Sequence, residues 1–236
     1  MSRYDVVSIM KDMTDSLRKN INYTIENNPQ SLSEMIIYLD LLDSWVVETN
    51  ELEANIVLKE VCYDLLTSLF IVSNGMYRNG YISLRSALEL GLSFIYFVDN
   101  NYDFLLWQKN EYDMKWATLK NYENGVVSKK YLALFNNQVD LEVLINITEN
   151  TYRECSEYVH GKYEYMHTKI NEQNIIYNKE NFEVWSQMFL MVVKILIVFI
   201  GIRFNNKIEK LEEDKKIVMD EIIREFKLAK VGVYSE

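Results

Sequence analysis

The segment Tyr152-Arg153-Glu154-Cys155-Ser156-Glu157-Tyr158-Val159-His160-Gly161 sets an arginine and one of the chain's 2 histidines seven residues apart. On a helix, seven steps of about 100° return to nearly the same side, two turns or about 10 Å along. A fixed cation and a residue type that titrates near neutral pH then project together. Such a pair suits cleavage of a phosphodiester. An imidazole can take the proton of a ribose 2′-hydroxyl and activate it against the adjacent phosphate. A guanidinium can hold that phosphate and neutralise the charge gathering on the phosphorane. Neither step needs a metal, and no cofactor is expected. The same spacing also fits an ordinary surface helix.

The elements that must carry this pair read as helices. Val6, Met10, Met13, Leu17, Ile21 and Ile25 recur at three and four residues, a helical stripe over residues 4–27 that Asn27-Asn28-Pro29 stops. Ser31 and Glu34 have the spacing of a capping box opening a second helix to about Val47. A third is expected from about Glu51 to Val72. Asn79-Gly80 reads as a break or a kink, so the fourth is placed at about Tyr81 to Val98, with Arg85 and Glu89 one turn apart on it. A fifth is expected over Asp103 to Tyr122, and Asn124-Gly125 opens a loop carrying Lys129 and Lys130. Pattern resumes by Leu141 and leads into the Arg153–His160 helix, which Gly161 should end. Residues 162–181 read as polar loop, including His167. An apolar helix from about Phe182 to Phe204 follows, then an amphipathic one over Asn206 to Lys230 with Glu212–Lys216 and Asp220–Arg224 as one-turn pairs.

Composition agrees with an all-α chain. Of 236 residues only 7 are Gly and 1 is Pro, too little turn chemistry for an all-β fold. A hydrophobic content of 49% with 17 Tyr and 10 Phe excludes a disordered polypeptide. The net charge of -10 argues against a surface built for non-specific nucleic-acid binding. Cys62 and Cys155 lack metal-ligand spacing and read as buried thiols in a reducing, cytoplasmic compartment. The first fifteen residues mix charges among apolar residues and show no signal-peptide pattern. Met188 to Ile202 approaches the length of a membrane span, but Lys194 at its centre favours a buried core helix, and no membrane is expected. The reading is a single all-α domain, a bundle of about seven or eight helices.

On the 152–160 helix, Tyr152, Cys155 and Val159 are expected to face the core. Arg153, Glu157 and His160 fall about 100° around, at the border of the buried face, with Ser156 between. Arg85 and Glu89 read as a buried, mutually satisfied ion pair, or as groups reaching the Arg153–His160 cleft. From Asp140 to His160 five acids (Asp140, Glu142, Glu149, Glu154, Glu157) stand against the single Arg153. RNA binding would therefore need Lys162, Lys169, Lys129 or Lys130 to converge there. Tyr158, Tyr163 and Tyr165 could stack on unpaired bases or simply pack.

Arg153-x6-His160 resembles the R-x4-6-H signature of the HEPN superfamily, compact α-helical proteins of toxin–antitoxin, abortive-infection and CRISPR-linked systems. Tyr152, Ser156, Val159, His160 and Gly161 are similar to the form found in several phage-defence branches. Leu84-Arg85-Ser86-Ala87-Leu88-Glu89-Leu90 looks like the upstream helix that those branches carry. The resemblance covers roughly residues 50–205, leaving 1–48 as N-terminal helices and 206–236 as a C-terminal amphipathic helix. It implies a metal-independent endoribonuclease acting on single-stranded RNA, with the Arg and His of two subunits meeting across a homodimer interface. Carried over, His160 is the general base and Arg153 the phosphate-binding residue, with Ser156, Glu157, Tyr163, Lys162, Arg85 and Glu89 as supporting or substrate-binding candidates. Many members have Asn, Asp or His after the arginine; here Glu154 stands there. An antitoxin or defence-system partner is also implied. Two other readings stand beside it: a non-catalytic sensor or protein-interaction module of the same fold, and a membrane-associated helical protein anchored through 185–204.

Overall fold

The computed structural model describes residues 5–135, 139–166 and 175–228, and they form an all-α bundle with no strand among them. His167 and Lys169 lie outside the described residues. The first helix, α1 (Val6–Asn27), opens on Asp5, whose carboxylate accepts the backbone N–H groups of Val7 and Ser8. One residue, Asn28, separates it from α2 (Pro29–Glu48). Pro29 occupies the first turn, where its missing N–H costs nothing, so the helix starts two residues before Ser31. The Ser31–Glu34 pair therefore lies inside α2 and does not open it.

α3 (Asn55–Ser73) and α4 (Tyr77–Asp99) form a tightly packed hairpin. The expected break at Asn79-Gly80 is absent, and α4 runs straight through it. Gly80 is used for close approach: a Cβ there would fall 2.2 Å from Val72 Cγ2 and 3.0 Å from Trp185 Nε1. Ser68 Oγ donates to the Gly80 carbonyl at 2.8 Å and accepts from Trp185 Nε1 at 3.3 Å.

The expected fifth helix is two pieces, α5 (Asn101–Gln108) and α6 (Trp116–Leu119). Asn110, at φ 58, ends α5; its N–H reaches the Trp107 carbonyl and that of Glu111 reaches Leu106. This is a Schellman closure with asparagine in the left-handed position usually held by glycine. A short turn, α7 (Lys129–Leu132), precedes α8 (Leu141–Val159).

The centre of the bundle is α9 (Lys179–Arg203), which packs on α2, α4, α8 and the last helix, α10 (Glu213–Leu228). The expected single C-terminal helix is thus divided, with a 3-10 segment, Asn205–Lys210, before α10. Lys216 pairs with Glu213 at 2.9 Å and Glu209 at 3.5 Å in place of Glu212. Phe182, Trp185, Phe189, Val192, Val193 and Ile195 to Ile202 are all buried, as an all-round apolar core helix requires. Lys194 is held by Glu225 of α10 at 2.8 Å, with its ammonium 5.2 Å from the Tyr38 ring. By length and composition alone both α4 and α9 could cross a membrane; their most apolar stretches are 61% and 78% buried inside the fold.

α1 departs from expectation. Val6, Met10, Met13 and Ile25 of its apolar stripe are exposed, while its buried residues are Asn20 and Thr24.

Candidate functional site

α8 carries the Arg–His pair, and its placement follows from its two ends. At the start, Asp140 caps it by accepting from the N–H groups of Glu142 and Val143. The β-branched residues near its start are tolerated: Thr148 returns its hydroxyl to the Leu144 carbonyl at 2.7 Å. At the other end Gly161 takes φ 61, with Gly161 N–H on the Tyr158 carbonyl and Lys162 N–H on Glu157. His160 is the C-cap of this closure. Arg78, from the first turn of α4, donates to the Tyr158 carbonyl at 3.0 Å and to that of Val159 at 3.5 Å. A cation thus answers the helix's negative end and pins the backbone immediately before His160.

The buried face of α8 is Leu144, Thr148, Thr151, Cys155 and Tyr158. Cys155 was expected there; Val159 was too, but Tyr158 takes that place and Val159 is half-buried. Tyr158 stacks on Tyr81 of α4, ring centroids 3.6 Å apart and planes within 5°. With Tyr165 also against it at 4.7 Å and 7% of the residue exposed, Tyr158 is a packing residue. Burial in this contact pushes both phenols above their ordinary range, and burial pushes the Cys155 thiol up to about 12.

Beside that face lies a polar cluster centred on Arg85. Its guanidinium pairs with Glu89 at 3.1 Å, donates to Ser156 Oγ at 3.2 Å and to the Tyr152 hydroxyl at 2.5 Å, and sits 4.9 Å from the Tyr152 ring. Trp116 of α6 covers that ring in a parallel stack at 3.7 Å. Burial raises the Glu89 carboxyl above its usual range, with Arg85 opposing the shift. The two arms of the earlier expectation resolve together: Arg85 is in an ion pair and also reaches α8, but at Tyr152 and Ser156.

Arg153 and His160 lie outside this cluster, both exposed. Arg153 donates to Asn150 Oδ1, one turn back, at 3.1 Å. Among the described residues the His160 ring makes no hydrogen bond or ion pair. Glu157 is half-buried and pairs with Lys162; Tyr163 is 70% exposed. The structure thus gathers Arg85, Glu89 and Ser156 into an internal clamp and leaves Arg153 and His160 on the solvent side of the helix it holds. Arg78, Trp116 and Asn150 were missed. Arg78 stands seven residues before Arg85 on the same side of α4, a spacing visible only if the helix is continued through Gly80.

The electrostatics are milder than the count of five acids. Glu142 pairs with Lys129 at 3.1 Å, Glu149 with Lys120 at 3.9 Å, and Glu157 with Lys162. Asp140 is engaged as the cap. Among the described residues no group of three or more His, Cys, Asp or Glu is arranged to hold a metal. Comparison with protein-family models, curated proteins and solved structures returned no match to this chain.

Proposed function

We propose that the chain is a HEPN-like, homodimeric endoribonuclease of a bacterial antiphage or toxin–antitoxin system, cutting single-stranded RNA without a metal. One observation supports this reading above the others. Two chemically apt side chains, Arg153 and His160, stand exposed on the final turns of a helix whose end is fixed by the Gly161 closure and by Arg78. His160 takes the 2′-hydroxyl proton; the 2′-oxygen attacks phosphorus and the bond to the 5′-oxygen breaks. The imidazolium returns its proton to the departing 5′-oxygen. The products are a 2′,3′-cyclic phosphate and a 5′-hydroxyl. Arg153 offsets the charge on the non-bridging oxygens, and a second protomer supplies the facing pair.

The test is end-group analysis of single-stranded RNA incubated with purified protein, beside His160→Ala and Arg153→Ala. Cleavage should fall about 10²–10⁴-fold in His160→Ala, the range for loss of a general base, while helical content and melting stay unchanged. Cutting at the parent rate by His160→Ala would sink the assignment.

A second reading is favoured by the outer face of α3. Ile56, Tyr63, Leu66 and Phe70 recur at seven, three and four residues and are 54–63% exposed. Such a face suits a non-catalytic protein-interaction module. Dimeric protein that leaves every RNA intact, with and without its partner protein, would select it.

A further inference from the structure

Among the described residues, the first half of α1 is left largely uncovered within its own protomer. Residues 5–15 are all exposed, and the helix is anchored only farther on. There Asn20 donates to the carbonyls of Asn74 and Ile175 and accepts from the Tyr177 N–H, and Thr24 donates to the Ser73 carbonyl. Since Asn20 and Thr24 meet the last residues of α3, the earlier turns run out past its end as an arm. A surface depression of about 540 Å³ lies along Val6, Val7, Met10, Lys11, Thr14 and Asp15. Val6, Val7, Ile9 and Thr14 are β-branched and poor helix formers, so propensity alone does little to hold this arm helical.

We infer that the arm pairs antiparallel with the same arm of a second copy of this chain. Val6, Met10, Met13 and Leu17 recur at four, three and four residues, the spacing of a coiled-coil seam. Flanking positions 7, 9, 14 and 16 are Val, Ile, Thr and Ser. Every charged residue of the stretch, Asp5, Lys11, Asp12, Asp15, Arg18 and Lys19, falls on the outer face. Run antiparallel about a two-fold axis, the seam is complementary to itself: Val6 meets Leu17 of the partner and Met10 meets its Met13. Val7 then flanks Thr14 and Ile9 flanks Ser16, so no charge enters the contact.

Size and composition select this occupant. Five large side chains, 43–65% exposed, form an apolar patch on the order of 400 Å², the scale at which an exposed patch is usually an interaction site. The small polar flanks and the partly exposed Leu17 extend it, still short of the ~800 Å² per partner of a standard interface, the scale of a reversible self-association. A lipid surface fits less well: the arm has no aromatic residue, and Asp12 and Asp15 flank its outer face beside Lys11. The inference is independent of the ribonuclease reading.

Cross-linking tests the register. In a Cys62→Ser background, Met10→Cys and Met13→Cys proteins are oxidised separately and as a mixture. Mixed species, with little self-linking of either, are expected; strong self-linking of Met10→Cys alone would mean parallel arms and overturn the pairing. Met10→Asp/Met13→Asp should weaken self-association about 100-fold or more, as unpaired carboxylates in an apolar contact do, read by sedimentation. Because Met10 and Met13 are already 56% and 45% exposed in the protomer, this variant should keep the parent melting curve at low concentration. A monomeric parent, unchanged association of the double Asp variant, or a monomer that binds phosphatidylserine vesicles through the arm would each refute the proposal.

Discussion

Replacing Arg85 by Met removes one of the groups that join α4 to α8, beside Arg78 and Tyr81, while keeping most of its aliphatic stem. Three bonds are lost, to Glu89, Ser156 and Tyr152, together with the cation over the Tyr152 ring. Glu89 remains with only 20% of its side chain exposed and no counter-charge. Breaking a fully buried pair costs about 3–5 kcal/mol. With the two side chains 26% and 20% exposed, water screens part of that, and about 2–3 kcal/mol is the expected loss. At about 2–4 °C per kcal/mol for a chain of this size, melting should fall by about 5–10 °C. Urea unfolding of Arg85→Met, Glu89→Gln and the double variant separates the pair from its surroundings. The double variant should be more stable than the sum of the singles predicts by about 1 kcal/mol, because the orphaned carboxylate is gone. A loss under about 0.5 kcal/mol in Arg85→Met, or strict additivity, would show that the clamp holds nothing. If melting falls while RNA cleavage persists below the new midpoint, Arg85 holds α8 and does not touch substrate.

Four further outcomes are expected. Gly80→Ala should destabilise by about 1–3 kcal/mol through overpacking against Val72 and Trp185; Gly161→Ala, whose Cβ would meet only Arg78 at 3.5 Å, should cost about 1–2 kcal/mol through its left-handed backbone; equal melting of Gly80→Ala and parent would refute the close-packing argument. Asp64 has a buried Oδ2 without a hydrogen-bond partner, and burial raises its carboxyl above the ordinary range, with a Ser86 hydrogen bond opposing. The folded state therefore holds the proton more tightly, so its contribution to stability falls as pH rises from the ordinary aspartate range through the raised value; Asp64→Asn should gain on the parent above that window and not below it, and a pH-independent difference in melting would count against this. Glu154→Gln, beside Arg153, should tighten single-stranded RNA binding about 3-fold at low salt and less at high salt, a Coulomb effect screened by ions; unchanged affinity would place Glu154 away from the phosphate path.

Where a boundary depends on backbone stereochemistry, the residues announced it. Gly161 ends α8 because only a residue tolerant of φ 61 closes that turn cheaply, and Asn28-Pro29 divides α1 from α2. Glycine is ambiguous when the need is space. Gly80 reads locally as a breaker, yet it lets α3 reach α4, and misplacing that boundary hid Arg78 and the full length of α4. Asn110 failed in the opposite sense, since nothing in its neighbours marks it as the left-handed residue that ends α5. The buried face of α8 was rotated by one residue because Tyr81, a partner far along the chain, selects Tyr158. The stripe on α1 reported an apolar face without reporting which molecule covers it.

Charge shows most clearly what a linear count misses. Five acids against Arg153 suggest a surface that would repel RNA. In three dimensions Lys129, Lys120 and Lys162 each take one of those acids, and Asp140 is occupied by backbone N–H groups. Glu154 is the acid left beside Arg153. Two of these lysines come from segments that precede α8 by ten residues or more, so folding supplies the compensation that local sequence lacks. Cation supply is therefore spread along α8, while Arg78 and Arg85 are consumed in holding it. Arg153 is the arginine left facing solvent on that helix, and it is the one on which the proposed chemistry depends.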